Sequence, residues 1–527
     1  NGNIAYEKPA KASLSEKKTN SLNQDFKAML NFNKTFGDHN VKALVGFSHE
    51  SYTGKWISAS RSDYVFPQYP VLNAGSIEDM KNEGSGDEWV LRSFYGRLNY
   101  DYKSKYLFEA NIRYDGSSRF ASGNKWGVFP SFSAGWRISE EAFWEPFKNV
   151  VDNVKLRASW GQLGNQLIGN YSFASFVTYG TNIMGGQAMS SAYLSDMANP
   201  DISWEKTTMT NIGLDMSLFS KLSMTFDYYV RRTSDILLKL DIPKFTGLNA
   251  PYQNAGVVDN KGWDLSFSWR DNISDFQYGA TFVLSDVRNE VVDLKGVKRT
   301  GLTVSNEGYP INSLYGLEAI GFIQESDYDE NGKYLYATQY GNFGPGDIKY
   351  KDQNKDGVID DKDEKIIGST IPRFNFSLNL NASWKGFDLS MFWQGVGKAD
   401  GYLYGNATMP FIMGGTALEM HKDYWTSENP NATFPRLAFN EINNEKNSTF
   451  WMKSAAYLRL KNLQVGYTIP KSLLSKIFIK NLRVYVSGQN LFTIDNFWDG
   501  YDVEAPVGIG SFYPQVKLYS VGLDVKF

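Results

Sequence analysis

The sequence predicts an all-β protein, a transmembrane antiparallel β-barrel of about 15–16 strands. Apolar and polar residues alternate through most of the chain. The chain is rich in aromatic residues (15%) and contains 47 glycines, yet no apolar run approaches the roughly 20 residues that a membrane helix needs. Because a barrel exposes only every second side chain to lipid, its mean hydropathy stays low, here −0.39.

The alternation is clearest in the last nine residues, "YSVGLDVKF", where apolar side chains occupy every second position from Tyr519 to Phe527. A period of two places the apolar and polar sets on opposite faces of one strand. We predict strands of about 9–14 residues each, the length expected of a tilted membrane strand. The same pattern recurs in segments 94–102, 106–114, 128–138, 154–160, 222–230, 263–269, 276–284, 374–384 and 387–393.

The connections between these segments favour a barrel over a soluble sandwich or propeller. Tight turns such as "YKSK" and "WKG" alternate with long excursions, whereas propeller blades repeat about every 40–50 residues with similar loops. We therefore expect short turns at one rim and long extracellular loops at the other. We interpret "NIMGGQAMSS" (182–191) as a flexible part of such a loop. The predicted extracellular loops lie near 61–87, 164–203, 235–256, 290–372, 401–450 and 495–512.

Composition and charge exclude several function classes. A net charge of −3, without a long basic run, gives no support for a nucleic-acid partner. The absence of cysteine excludes disulfides, zinc–thiolate sites and cysteine nucleophiles. His39, His49 and His421 lack ligand spacing, and the paired carboxylates have no glycosidase context. We predict that the protein is not an enzyme and has no organic cofactor.

The first residues, "NGNIAYEKPAKASLSEKK", contain neither an initiator methionine nor the apolar core of a signal peptide. We expect this chain to be part of a longer one.

Several distinctive motifs follow one another from about residue 20 to the end. They include "NIRYDGSSRFASGNKWGVFPSFSAGWRISEEAFW" (111–144), "VKLRASWGQLGNQ" (154–166), "PGDIKYKDQNKDGVID" (345–360), "FDLSMFWQGVG" (387–397), "YLRLKNLQVGYTIP" (457–470), "VYVSGQNLFTI" (484–494) and "DGYDVEAP" (499–506). In this order they resemble the SusC/RagA family of TonB-linked outer-membrane transporters of Gram-negative bacteria, although the last motif has Val503 where that family usually has proline.

The resemblance implies an outer-membrane barrel of about 22 strands with an N-terminal plug, of which residues 1–527 supply the C-terminal two-thirds of the barrel. The plug, the TonB-contacting segment and the first strands have no counterpart here. Because unpaired strand edges are prohibitively costly in lipid, we expect the missing N-terminal portion to pair with this one. The implied partners are TonB, outer-membrane lipid and a SusD-like lipoprotein lid, in a dimer of transporter–lid units.

The implied function is TonB-dependent active import of a large nutrient, an oligosaccharide or an oligopeptide. Two alternatives remain open: a passive porin-type channel, and a surface scaffold or adhesin. The sequence does not distinguish a glycan from a peptide substrate.

The stretch "DQNKDGVIDDKDEK" follows the lettering of an EF-hand calcium loop, with Gly357 at the sharp turn. Its flanks are rich in Gly, Pro and β-branched residues, whereas a sensor hand needs two amphipathic helices. We expect a structural Ca²⁺ clip in an outer loop; a solvated acidic turn is the alternative. The candidate ligands are Asp352, Asn354, Asp356, the Val358 carbonyl, Asp360 and Asp363, where the last replaces the usual longer Glu.

Aromatic and methionine side chains in two long loops are candidate contacts for substrate or a partner, because aromatic faces stack on sugar rings and bury peptide side chains. The alternative is that they pack on neighbouring loops or on the lipoprotein. The candidates are Tyr171, Phe173, Phe176, Tyr179, Tyr193, Tyr402, Tyr404, Phe411, Met413 and Met420.

Overall fold

The structure is a computed structural model that describes residues 11–296, 298–439, 441–474 and 478–527, without the side chains of Lys298 and Met413. No helix in these ranges is long and apolar enough to span a membrane. The strands are β1 (Ser13–Phe36), β2 (His39–Ser62), β3 (Lys81–Tyr102), β4 (Tyr106–Ser117), β5 (Trp126–Arg137), β6 (Val151–Asn165), β7 (Val177–Met184), β8 (Gln187–Leu194), β9 (Glu205–Leu218), β10 (Leu222–Lys239), β11 (Tyr252–Ile273), β12 (Phe276–Asp293), β13 (Lys298–Thr300), β14 (Thr303–Ser305), β15 (Ser313–Gly316), β16 (Ala319–Phe322), β17 (Ile348–Tyr350), β18 (Lys365–Ser369), β19 (Arg373–Trp384), β20 (Phe387–Lys398), β21 (Asp400–Leu403), β22 (Met452–Ser454), β23 (Tyr457–Thr468), β24 (Asn481–Gln489), β25 (Thr493–Asp495), β26 (Val507–Gly508) and β27 (Leu518–Lys526).

In the described ranges, helical structure is confined to segments of three to six residues. An α-helical turn, α1, covers Lys471–Leu474. The 3₁₀ turns cover Leu72–Ala74, Ile138–Glu140, Ala142–Phe147, Lys244–Thr246, Glu325–Asp327, Asp361–Asp363, Gly405–Ala407, Ile412–Gly414, Glu419–Lys422 and Thr449–Trp451.

Within the described part of the chain, the largest sheet has sixteen strands, which confirms the predicted fold class and strand number. Its order follows the chain, so that each strand pairs with the next long strand along the sequence. The path is β1-β2-β3-β4-β5-β6-β9-β10-β11-β12-β19-β20-β23-β24-β27, and β25 also pairs with β23.

The first compact unit contains the described residues up to Ala134 together with Trp160–Thr208 and Thr233–Ala255. Its strands β1 and β2 have 24 residues each and β3 has 22, longer than predicted. At about 3.4 Å per residue, 24 residues extend roughly 80 Å, whereas the hydrocarbon layer is about 30 Å thick. The alternating apolar pattern therefore marks only the membrane-crossing part of a ladder whose hydrogen bonds continue through polar residues.

A small core in this first unit anchors a long connection. Phe120, Phe129, Ile168, Ile202 and Trp204 are buried against one another. The Trp204 indole N–H donates to the carbonyl of Lys125 (3.0 Å), so the polar edge of this buried ring is also satisfied.

The second compact unit contains Gly135–Ser159, Met209–Arg232 and the described residues from Gly256 onward. Tight turns join its sheet strands as predicted; β19 and β20, for example, meet at Trp384↔Phe387 around Lys385 and Gly386, both with positive φ. Its long connections carry short strands of their own, including the four-stranded sheet β13-β14-β15-β18.

The main buried core of the second unit lies in these long connections. Trp451, Tyr350, Tyr402, Leu314 and Leu317 are at most 2% exposed and belong to one apolar cluster. These long connections are therefore folded, and they are able to hold side chains in fixed positions.

Candidate functional site

The acidic loop 352–363 lies between β17 and β18 and folds back on its own backbone. Lys355 (φ +64°) and Gly357 (φ +85°) have left-handed conformations that bend the chain. Asp352 accepts hydrogen bonds from the backbone N–H groups of Lys355 (2.6 Å) and Gly357 (2.9 Å). The flanking elements are strands rather than helices, as expected for a loop that is not a sensor hand.

Three further aspartates organise the loop. Asp356 accepts from the backbone N–H of Val358 (3.0 Å), and Asp360 accepts from that of Lys362 (2.8 Å). Asp363 is fully buried and uses both oxygens on backbone N–H groups, those of Gln353 (2.8 Å) and Asp360 (2.9 Å). Of the six predicted ligands, Asp363 is the one whose carboxylate is most fully occupied by hydrogen bonds within the loop.

The loop carries more carboxylates than cationic side chains. The Lys362 ammonium lies 3.3 Å from Asp360 and 3.8 Å from Asp356, and the hydrogen bond to Asp360 raises the pKa of this lysine. Burial, together with the carboxylates of this loop, raises the pKa of Tyr340 to about 12. In the described residues, no three acidic or histidine side chains form a preassembled metal cluster.

The loop is fastened to the apolar core through Ile359, which is 2% exposed. The Ile359 N–H donates to the carbonyl of Thr338 (2.8 Å), and the Thr338 N–H donates to that of Gly357 (3.0 Å). The loop conformation is thus coupled to a packed core.

The candidate contact residues of the first unit are mostly exposed. Tyr179 (83%) and Tyr193 lie on the β7–β8 hairpin, which pairs with no other strand among the described residues. Phe176 is also exposed, the Tyr171 hydroxyl donates to Glu88 (3.3 Å), and Phe173 packs against the small core.

The candidates of the second unit are more buried. Tyr402 is fully buried, and its hydroxyl accepts from the backbone N–H of Ser448 (3.0 Å), so its ring is not available to a ligand at the surface. Met420 packs against the apolar core, whereas Tyr404 is 38% exposed. Phe411 is half-buried with φ +61°, and the side chain of Met413 lies outside the described part of the chain.

Two sequence motifs meet through a buried ion-pair network that the residue pattern did not predict. Arg459 of "YLRLKNLQVGYTIP" donates to Asp502 (2.9 Å) and Glu504 (2.7 Å) of "DGYDVEAP". Lys461 also pairs with Glu504. Sequence reasoning likewise missed a charged cavity bounded by 287–290, 366–373 and 398–400, because the first and last of these segments are more than a hundred residues apart in sequence.

Comparison with known families gives one extended match. The family described as "TonB dependent receptor-like, beta-barrel" matches residues 3–491.

Curated relatives agree with this match. TonB-dependent receptor P3 of Formosa agariphila is 32% identical, over 97% of this chain and 52% of the relative. TonB-dependent receptor SusC of Bacteroides thetaiotaomicron is 29% identical, over 83% of this chain and 44% of the relative. The chain spans about half the length of the curated relatives it matches.

A chain of the RagAB peptide importer in its open-open state superposes with a TM-score of 0.84 at 26% identity, covering 97% of this chain and 55% of that one. The RagAB peptide transporter gives a TM-score of 0.82 at 27% identity. The fold of this chain is thus shared with solved chains of the RagAB peptide importer.

Proposed function

Because the chain belongs to the TonB dependent receptor-like β-barrel family of the outer membrane, we propose that this protein serves TonB-dependent import of a large nutrient, an oligosaccharide or an oligopeptide. The match over residues 3–491 carries this proposal. The sixteen-stranded antiparallel sheet and the folded long connections support it, since such loops provide fixed surface for binding a large solute. The family consists of transporters and not of enzymes.

The second part of the proposal is a SusD-like lipoprotein lid, in a dimer of transporter–lid units. Likeness to SusC and to a chain of RagAB supports such a partner. The β7–β8 hairpin fits this role: Tyr179 and Ile183 are at least 80% exposed, and an isolated two-stranded hairpin is marginally stable in water. A stable contact of this kind buries more than about 1,000 Å².

The third part concerns the two outer edges of the large sheet. Within the described residues, β1 and β27 each pair on one side only. Because unpaired backbone groups are costly in lipid, we propose that strands of an N-terminal barrel portion, carrying the plug and the TonB-contacting segment, complete both edges.

The fourth part is a structural Ca²⁺ ion in the loop 352–363, held by Asp352, Asn354, Asp356, the Val358 carbonyl and Asp360, with Asp363 bracing the backbone. A carboxylate oxygen that accepts one N–H keeps a second lone pair for a hard cation. Ion binding would replace the weak neutralisation that Lys362 provides.

The test of the import proposal is uptake by intact cells. The nutrient whose uptake requires the gene is identified first, and its uptake is then measured with and without a functional TonB. We expect uptake to be lost in both deletions. Uptake that persists without TonB would establish the passive porin instead, and a gene deletion that alters no nutrient uptake would favour the scaffold.

A further inference from the structure

The cavity at the ends of the sheet strands β12, β19 and β20 has a volume of about 550 Å³. Its wall is completed by β18, by Asp400 at the start of β21, and by Gly308, Pro310 and Ser313. Ligand pockets typically occupy about 300–1,000 Å³, so this cavity has room for a short oligomer.

Cationic and anionic side chains both line the cavity, but they do not form ion pairs with one another. Arg288 and Lys398 are exposed and have no ion-pair partner within the described ranges. Glu290 has its nearest cation, Lys261, at 3.9 Å, the limit of an ion pair. Asp400 forms no ion pair with any described residue and instead accepts from the backbone N–H of Ser369 at 2.9 Å.

Two features fix the charged groups in place. Arg373 also lies in the wall and forms a bidentate pair with the buried Asp286, in which Nε donates a 2.7 Å hydrogen bond. This pair uses only part of the guanidinium group, so further N–H groups of Arg373 remain free. The carboxylate of Asp400 packs closely against Gly368, since a Cβ at position 368 would lie 2.9 Å from Asp400 Oδ2. The carboxylate of Asp400 is thus positioned before any ligand arrives.

Besides the charged groups, the wall combines polar Asn289, Ser313 and Ser369 with the aliphatic side chains of Ile366, Ile367 and Ile371. None of the described residues that line it is aromatic, although 15% of the chain is aromatic. A neutral sugar would cover these charges without pairing them, which is unfavourable. A zwitterion with an apolar side chain would match both the charges and the isoleucines.

We propose that this cavity binds a short peptide with free termini, holding its carboxylate with Arg288 and Lys398 and its ammonium group with Glu290 and Asp400. The isoleucines receive an aliphatic side chain of the peptide. The inference rests on the proposed import function and selects peptides from its two substrate classes.

The test is calorimetric titration of the purified full-length protein with the tripeptide Ala-Ile-Ala, its N-acetylated and its C-amidated forms, and the neutral sugar maltotriose. We expect the free tripeptide to bind and each blocked form to bind about tenfold or more weakly, since blocking a terminus removes its hydrogen bonds between charged groups. Maltotriose is expected to show no measurable binding.

Paired variants assign the termini. R288Q/K398Q is expected to weaken binding of the free and N-acetylated tripeptides and to leave the weak binding of the amide unchanged. E290Q/D400N, which keeps an acceptor for the Ser369 N–H, is expected to affect the free and amidated forms instead. K517Q removes an exposed lysine outside the cavity and serves as the control.

Equal binding of the free, N-acetylated and C-amidated tripeptides, maltotriose binding that resists all four substitutions, or no peptide binding would overturn the inference. If no peptide binds while TonB-dependent uptake of another nutrient persists, only this inference fails. If uptake proceeds without TonB, the import proposal fails whatever the cavity binds.

Discussion

Arg459 donates a 2.9 Å hydrogen bond to Asp502, and both side chains are less than a tenth exposed. Although burial raises the pKa of Asp502, hydrogen bonds from Arg459 and from the backbone N–H groups of Glu504 and Gln515 hold it below its usual value. The pair attaches the connection before the last sheet strand to β23.

Removing the arginine is expected to release that connection. Because R459M leaves the buried Asp502 without its cation, whereas the more exposed Glu504 keeps Lys461, it should cost about 3–5 kcal/mol of stability. The measurement is thermal unfolding in detergent, with limited proteolysis within 495–512. R483M, which breaks a more exposed pair with Asp388, is the control and should cost about 1 kcal/mol or less. Equal effects of the two variants would contradict the assignment.

The acidic loop gives a prediction about calcium. D356A and D360A should each lower Ca²⁺ affinity at least about tenfold in calorimetry of the full-length protein, because affinity follows the charge of the ligand set. K362Q should raise the affinity, because the competing ammonium is removed. D329A alters a carboxylate that accepts N–H bonds in a different turn and should have no effect. Unchanged Ca²⁺ binding by D356A and D360A would refute the calcium proposal.

His421 predicts a pH dependence in the connection between β21 and β22. Its ring is 1% exposed, Nδ1 accepts from the Leu418 N–H (2.8 Å), and Nε2–H donates to the Thr408 carbonyl (2.8 Å). Burial lowers the pKa of His421 below 6.5, so the unfolded segment binds the proton more readily. The stabilisation is therefore complete above pH 6.5 and is lost as pH falls below it.

Hydrogen exchange at the Leu418 amide checks this sign, after correction for intrinsic rates. Protection should fall between pH 7.5 and pH 5 in the wild type and should change little in H421N. Protection that is constant or rises on acidification would show that the buried ring does not control this segment.

The sheet predicts a steric requirement at Gly522, which lies opposite Tyr485 in the β24–β27 ladder. A Cβ at Gly522 would lie 2.2 Å from the Tyr485 ring, so G522A should cost about 1–3 kcal/mol. G96A is the matched strand control, since the nearest atom to its Cβ would be 3.7 Å away. Denaturant unfolding in lipid vesicles compares the two, and equal stability of both variants would contradict the close packing.

Strand identity and sequential pairing were predictable because they depend on local alternation. Leu378 and Asn379 illustrate this, since neighbours in sequence take opposite faces of β19. The β7–β8 hairpin was missed: 182–191 was interpreted as flexible, although Gly185 and Gly186, both with positive φ, form a turn that two adjacent glycines favour.

The loop core was beyond local patterns. The Tyr350 hydroxyl donates to the carbonyl of Asn443 (2.7 Å), 93 residues away, and no periodicity records such a contact. By sequence composition alone, Tyr402 cannot be distinguished from an exposed loop tyrosine. Contacts from distant segments nevertheless bury Tyr402 completely. The same reason kept Arg459 and the charged cavity out of the sequence prediction.

The central claim is that every second side chain in the membrane-crossing part of the sheet strands contacts hydrocarbon while the others face water. Because the chain contains no cysteine, single cysteines at consecutive positions 377–380 of β19 can be spin-labelled in the full-length protein in bilayers. Oxygen collision rates should be high at Leu378 and Leu380 and low at Ser377 and Asn379, with the opposite order for a water-soluble nickel reagent. Uniform water accessibility at all four positions would contradict the account.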